Sequence, residues 1–169
     1  MKEVKTGTIK IRDAHIMWRN FSGSPTKFNQ KGGIRSFHVR IDSPEMAEEM
    51  REQGWNVRMY TPEDGEPMYH LQVFMRFDIY PPEIYVYANG NRTEMTEETI
   101  DGLDQADIER CDLTIRGYRW EVNGNLGVKA YVKRMRIRLE EDEWAEEWDS
   151  PEAEFEHPTE EDIEVDLPF

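Results

Sequence analysis

Leu113-Thr114-Ile115-Arg116-Gly117-Tyr118-Arg119-Trp120-Glu121-Val122 is followed by Asn123-Gly124-Asn125 and then by a second alternating run, Gly127 to Leu139. Two such runs joined by Asn-Gly read as a β-hairpin, because Asn and Gly tolerate the positive φ angles of a tight hairpin turn. Successive strand residues point to opposite faces. Arg116, Tyr118 and Trp120 therefore share one face of the first strand, and Lys129, Tyr131 and Lys133 one face of the second. Arg134, Arg136 and Arg138 fall together on one side further along.

Upstream of the hairpin the same period of two recurs. Tyr69, Leu71, Val73, Met75, Phe77 and Ile79 form the most regular alternation in the chain and are expected to point inward. Arg35 to Asp42 places Phe37, Val39 and Ile41 on one side, and Trp55 to Tyr60 reads as another strand, followed by an Asp64-Gly65 turn. Ile9 and Ile11, then Ala14, Ile16 and Trp18 on the shifted parity, predict one long strand bulged near Asp13. Trp18 and Trp55 are assigned to the core, each having an apolar neighbour on its own parity.

Between these runs, Ser43 or Asp42 caps a short helix with Pro44 in its first turn, an apolar stripe of Met46, Ala47 and Met50, and Gly54 as its stop. After the Pro81-Pro82 break come a short strand at Ile84 to Tyr87, a turn at Asn89-Gly90-Asn91, and a segment from Thr96 to Ile108 with helical potential. There is no βαβ rhythm and no internal repeat. The expected fold is mainly β: an OB-type antiparallel barrel with one or two short helices, followed by a disordered acidic tail. The domain division is 1–139 for the barrel and 140–169 for the tail.

The 169 residues suit one domain with an appendage. A formal charge of −15 argues, as an average, against a polyanionic partner. The distribution reverses that inference. Residues 140–169 hold 15 of the 36 acids and no Lys or Arg, so 21 acids face 21 cations in residues 1–139. Like charges at the tail's density resist compaction, so an extended, solvated segment is expected there. Trp144 and Trp148, at i and i+4, are compatible with a short amphipathic helix at its start.

Cys111 is the single cysteine, which excludes an intrachain disulfide and a cysteine-based zinc site and points to a reducing cytoplasm. No apolar run approaches the length of a membrane span, and residues 1–10 lack a signal-peptide core. Asn20-Phe21-Ser22 and Asn91-Arg92-Thr93 match the glycan acceptor pattern but have no secretory context.

Aromatic rings interleaved with cations are what sequence-tolerant binding of single-stranded nucleic acid requires: rings on which bases stack, at about 1–3 kcal/mol per base, and charges that track phosphates. The hairpin supplies Arg116, Tyr118, Trp120, Lys129, Tyr131, Lys133, Arg134 and Arg136. The Gly- and Ser-rich stretch from Asn20 to Gly33 and its flanks add Arg19, Phe21, Lys27, Phe28, Lys31 and Arg35, as a loop able to fold over a bound strand.

The terminal segment Glu160-Glu161-Asp162-Ile163-Glu164-Val165-Asp166-Leu167-Pro168-Phe169 resembles the C-terminal tip of bacterial and phage single-stranded DNA-binding proteins, in which acidic residues precede an apolar-Pro-Phe end. By that resemblance Asp162, Asp166, Leu167, Pro168 and Phe169 would recruit replication, recombination and repair proteins, the final ring docking in an apolar pocket with a basic rim. The body is longer than in the bacterial proteins, Pro81 to Ile108 has no obvious counterpart, and their Gly/Gln/Pro-rich linker is replaced by a shorter acidic one. Homotetramerisation therefore does not carry over, and a homo-oligomer of another kind stays open.

The expected function is sequence-nonspecific binding and protection of single-stranded DNA in phage replication or recombination, in the cytoplasm of the host, without catalysis, cofactor or metal. Other classes are distinguishable. A two-metal nuclease would need converging carboxylates and a lysine, for which Asp78, Glu83 and Lys133 are the available set. An acidic interaction protein or DNA mimic would spread its acids over the folded surface instead of collecting them terminally, and a small-ligand carrier would enclose a cavity.

Overall fold

The computed structural model describes residues 2–27 and 30–140. Phe28 and the tail, including Trp144, Trp148, Asp162, Asp166, Leu167, Pro168 and Phe169, lie outside the described residues.

Among the described residues nine strands form one sheet: β1 (Lys2–Ile11), β2 (Ile16–Asn20), β3 (Arg35–Ile41), β4 (Val57–Tyr60), β5 (Met68–Met75), β6 (Glu83–Ala88), β7 (Asn91–Glu94), β8 (Ile108–Val122) and β9 (Asn125–Leu139). Its hydrogen-bonded order is β1-β8-β9-β5-β3-β2, with β4 added to β5, β6 added to β9 and β7 to β6. The described residues are mainly β with one short α-helix, as expected. The sheet is open, however, and not a closed barrel, because β1 and β2 end its path and no ladder joins them. The turn between them spans part of the gap: the Ala14 N–H donates to the Cys111 carbonyl of β8 at 2.6 Å, and the His15 carbonyl accepts from the Arg40 N–H of β3 at 2.9 Å.

The expected long N-terminal strand is thus two strands with different partners. Asp13 adopts φ +52°, a conformation that Asp tolerates and that breaks the extended backbone. The hairpin turns behave as their sequences predict. Asn123 and Gly124 both have positive φ and join β8 to β9, and Asn89 and Gly90 do the same between β6 and β7.

Helix α1 (Pro44–Glu52) begins where Ser43 Oγ accepts the Met46 N–H at 3.1 Å and buries Ala47 and Met50. Gly54, at φ +99°, reverses the chain after it. Residues 96–108 form only a single 3-10 turn, Ile100–Asp104, before β8 begins.

The core is one apolar cluster centred on Phe37, Val39, Leu71, Val73, Ile84, Leu113, Ile115, Met135 and Ile137, each fully or nearly fully buried. The inward parity of β5 holds for Leu71, Val73 and Met75, weakens at Tyr69 and Phe77, and fails at Ile79, which is 52% exposed. The cause is that β5 stops at Met75: the Tyr80 N–H donates to the Arg76 carbonyl at 3.1 Å, and an Arg76–Asp78 ion pair at 2.8 Å folds the chain back. Trp55 is core, at 5% exposure. Gly117 makes room for it, since a Cβ there would lie 2.5 Å from Trp55 Cη2.

Candidate nucleic-acid interface

The outward face of the β8–β9 hairpin is built by register. The ladder sets Trp120 opposite Gly127, Tyr118 opposite Lys129, Arg116 opposite Tyr131, Thr114 opposite Arg134, Asp112 opposite Arg136 and Arg110 opposite Arg138. The pairing shifts between Thr114 and Ile115, whose partners are Arg134 and Val132, which leaves Lys133 as the extra residue of a bulge. Strict alternation would put Tyr131 and Arg134 on opposite faces. With the bulge, Lys129 and Tyr131 share one outward face with Arg134, Arg136 and Arg138, while Ala130, Val132, Met135 and Ile137 stay in the core.

One end of this face is aromatic. Phe74 of β5 lies opposite Tyr131, with ring centroids 6.3 Å apart, and the Lys129 ammonium sits 4.5 Å from the Phe74 centroid and 5.6 Å from that of Tyr131. The turn after β5 folds Tyr80 across the hairpin. Its ring stacks on Tyr118 at 4.2 Å and 22° and meets Tyr131 at 4.7 Å. Beneath this cover Tyr118 keeps 8% and Tyr131 2% of its surface exposed. These two rings support the face from below, and Tyr80 and Phe74 present its partly exposed surface. The Trp120 ring lies against Gly127, where an added Cβ would meet its Cζ2 at 2.5 Å. Arg116 Nη1 reaches Tyr118 Oη at 3.4 Å, while its Nε is buried without a hydrogen-bond partner among the described residues.

The other end is cationic and interspersed with acids. Arg134 pairs with Glu83 at 3.0 Å, Arg110 with Asp112 at 3.0 Å and Arg138 with Glu109 at 4.0 Å. Tyr85 and Tyr87 of β6 lie opposite Arg136 and Arg138, and the Arg92 guanidinium stands 4.9 Å from the Tyr85 ring centroid. Shallow grooves run here between Lys10, Arg12, Arg134 and Arg136, and between Tyr87, Arg110, Arg136 and Arg138.

The 20–33 loop is held down by residues that the sequence assigns to a ligand. Arg19 Nη1 donates to the Leu103 and Ala106 carbonyls, both at 2.8 Å. Phe21 is a core residue with no exposed surface, packed on Phe37 at 5.4 Å, and the Asp104 carboxylate accepts the N–H groups of Phe21 and Ser22. Arg35 donates to the Phe21 carbonyl at 2.6 Å and to Asp101 at 3.0 Å, with Glu97 at 3.6 Å. These contacts tie the loop to the 3-10 turn, leaving Lys27 and Lys31 exposed at its surface. A groove of about 400 Å³ between the loop and the hairpin is lined by Gly33, Arg35, Phe74, Phe77, Lys129 and Tyr131.

A second aromatic group, unmarked in the sequence, lies on the outward side of β2, β3, β4 and β5. Trp18 is 51% exposed, not buried as its parity predicts, because the β2–β3 register shifts between Met17 and Asn20. Trp18 contacts His38 at 4.9 Å, His70 at 5.0 Å and Tyr60 at 5.8 Å, all edge-on. His38 Nδ1 and His70 Nδ1 are 3.0 Å apart, so at least one ring is neutral to accept the proton of the other. Burial, the facing His70 and the Arg58 charge lower the His38 pKa to about 4, and burial with Arg58 lowers that of His70. Phe74 and Tyr80 are the other residues that sequence reading missed. The parity of Phe74 was visible beside Val73 and Met75, whereas the fold-back of Tyr80 carries no local signal.

The carboxylates available for metal chemistry are engaged elsewhere. Asp78 is held by Arg76, which lowers its pKa to about 2, and Glu83 by Arg134. Among the described residues no three His, Cys, Asp or Glu side chains converge as metal ligands, and no helix is long and apolar enough to cross a membrane.

The described residues thus form an open β-sheet whose outward face combines rings and cations, and comparison with known proteins gives its family. Residues 1–165 match the family described as "Putative phage ssDNA-binding domain", and the chain belongs to that family. Among solved structures it is similar to the single-stranded DNA-binding protein from bacteriophage Enc34, with TM-score 0.50 and 12% identity over 84% of this chain and 92% of that one. A C-terminal truncation of the same phage protein also gives TM-score 0.50 and 12% identity, over 80% and 88%. At that identity the likeness concerns the fold. No curated protein sequence matches the chain.

Proposed function

We propose that this phage protein binds single-stranded DNA without sequence preference, along the outward face of β8 and β9, and protects it during replication or recombination in the host cytoplasm. The observation that carries this reading is the bulge at Lys133, which aligns the Lys129–Tyr131 aromatic end and the Arg134–Arg136 cationic end on one face. Bases stack at the first end, on Trp120, Phe74 and Tyr80 supported by Tyr118 and Tyr131. Phosphates pass Arg116, Lys129, Lys133, Arg134 and Arg136. Lys27 and Lys31 add charge from the loop. Family membership supports the choice of ligand.

Residues 1–139 are the binding domain and 140–169 a recruiting tail, whose Asp162, Asp166, Leu167, Pro168 and Phe169 capture replication or repair proteins. An apolar Leu-Pro-Phe segment preceded by acids suits an apolar pocket rimmed by cations. The tail's acids also compete with DNA for the cationic face, since a body of balanced charge offers little long-range attraction of its own.

Fluorescence anisotropy of labelled oligo-dT, single-stranded and duplex, across a salt series tests both parts, using the full chain and a chain ending at Glu140. Salt-sensitive, single-strand-selective binding that tightens on truncation is expected. Absence of binding by either chain would remove the DNA reading and favour an acidic interaction protein.

A further inference from the structure

The bulge in β2 places one residue in a conformation that its type disfavours. Among the non-glycine residues with positive φ, Asp13, Asn89 and Asn123 are of the types that accept it, while Trp18, at φ +51°, is not. Such an outlier persists only where its surroundings over-determine it, and such positions cluster at ligand contacts. Here the surroundings are three rings: His38, His70 and Tyr60 brace the indole at centroid distances of 4.9, 5.0 and 5.8 Å. Half of the largest side chain is nevertheless left in water, as is 47% of Tyr60 beside it. A ring meant for the core would have kept the regular register and pointed inward with Ile16.

This cluster lies on the same outward face as the hairpin. Along β5 the outward residues are Phe74, Gln72 and His70, paired with Ser36, His38 and Arg40 of β3. Phe74 adjoins Tyr131 and Lys129, and His70 adjoins Trp18. His70 and Phe74 stand four positions apart along β5, which puts about 13 Å between the two aromatic ends. Between them Gln72 Nε2 donates to Ser36 Oγ at 3.1 Å, a polar floor without a charge. Arg58 of β4, opposite His70 in the ladder, supplies a cation at the far end.

Resting on the single-stranded DNA reading, we infer that Trp18, with Tyr60, forms a second base-stacking subsite for an unpaired nucleobase, at the opposite end of the sheet from the Tyr80 stack. One strand would run from the hairpin across Gln72 and Ser36 to the Trp18 ring, with Arg58 beside its phosphate. The two histidines share an Nδ1–Nδ1 hydrogen bond at 3.0 Å, and burial with the nearby Arg58 lowers both pKa values, which disfavours charge on the brace.

The test uses the full chain, an oligo-dT series from about 3 to about 15 nucleotides, and 5-fluorotryptophan labelling read by fluorine NMR. Affinity should rise in a step once the strand reaches both ends. Trp18→Ala should remove that step, weakening the longer oligonucleotides roughly 5- to 100-fold, and Trp18→Phe should restore much of it. The Trp18 resonance, assigned by the Trp18→Phe variant, should shift on adding long oligo-dT, while that of buried Trp55 should not. Wild-type binding with no Trp18 shift and unchanged affinity in Trp18→Ala overturns the subsite and leaves the DNA reading standing. Sedimentation showing that Trp18→Ala dissociates an oligomer, with affinity per protomer unchanged, assigns the ring to a subunit contact and overturns it also. Failure of the wild-type chain to bind any oligo-dT sinks the subsite together with the function it rests on.

Discussion

The two aromatic groups on the outward face differ in how they are built. Tyr118 and Tyr131 occupy regular outward positions on long strands, yet they are nearly buried because Tyr80 closes over them. Trp18 sits on a five-residue strand at one end of the sheet path, out of register, and stays half exposed. Strand parity says which face a ring leaves from. Its freedom to meet a ligand is decided by what crosses that face.

The comparison breaks most visibly in stability. Tyr131→Ala removes a ring in contact with Phe74, Tyr80 and Tyr118, and should cost about 3–5 kcal/mol, like other large-to-small substitutions at buried sites. That is a fall of roughly 6–20 °C in melting temperature for a chain of this size. Trp18→Ala, at half exposure, should cost about 1 kcal/mol. Equal losses in thermal unfolding would show that both groups are structural.

Two glycines sharpen the same contrast on a smaller scale. Gly117→Ala drives a Cβ to 2.5 Å from buried Trp55, and should lower stability by about 1–3 kcal/mol through overpacking. Gly127→Ala drives one to the same distance from Trp120, which is only half buried and able to lift away. Its melting point should move less, with a shift in tryptophan emission and weaker oligo-dT binding instead.

The histidines of the open group give a pH signature. A His whose folded pKa lies near 4, below its ordinary 6.5, is neutral when folded and protonates first when unfolded. The unfolded state then binds more protons between those values, so stability is full above pH 6.5 and falls as pH drops towards 4. Asp78 and Asp112, whose pKa values are lowered from 3.8, add their losses only below that window. Urea unfolding of His38→Gln should show a flatter pH dependence between 4 and 6.5, and a slope identical to wild type would reject the assignment. Smallest of all, burial with Asp112 and Asp13 nearby pushes the Cys111 thiol up to about 12. Iodoacetamide should leave it unmodified in the folded protein at pH 8, while labelling it in urea.

Much of this architecture follows from local rules. The period of two in β3, β5 and β8, the Asn-Gly turns and the Ser43-Pro44 helix start each depend on a few adjacent residues, so local sequence sets these strands, the hairpin and the mainly β class. It also placed the ring-and-cation pattern on the hairpin. Tertiary structure alone decided the rest. The bulges at Lys133 and Trp18 arise from pairing between distant strands, and each turns a side chain to the face that parity denies it. Arg19 and Arg35 read as ligand cations until carbonyls of Leu103, Ala106 and Phe21 and the Asp101 carboxylate are brought to them. Tyr80 covers Tyr118 from 38 residues away in sequence. Parity and turn chemistry act over neighbours, whereas register, cover and the partner of a charge are set by contacts that form only when the whole sheet has assembled.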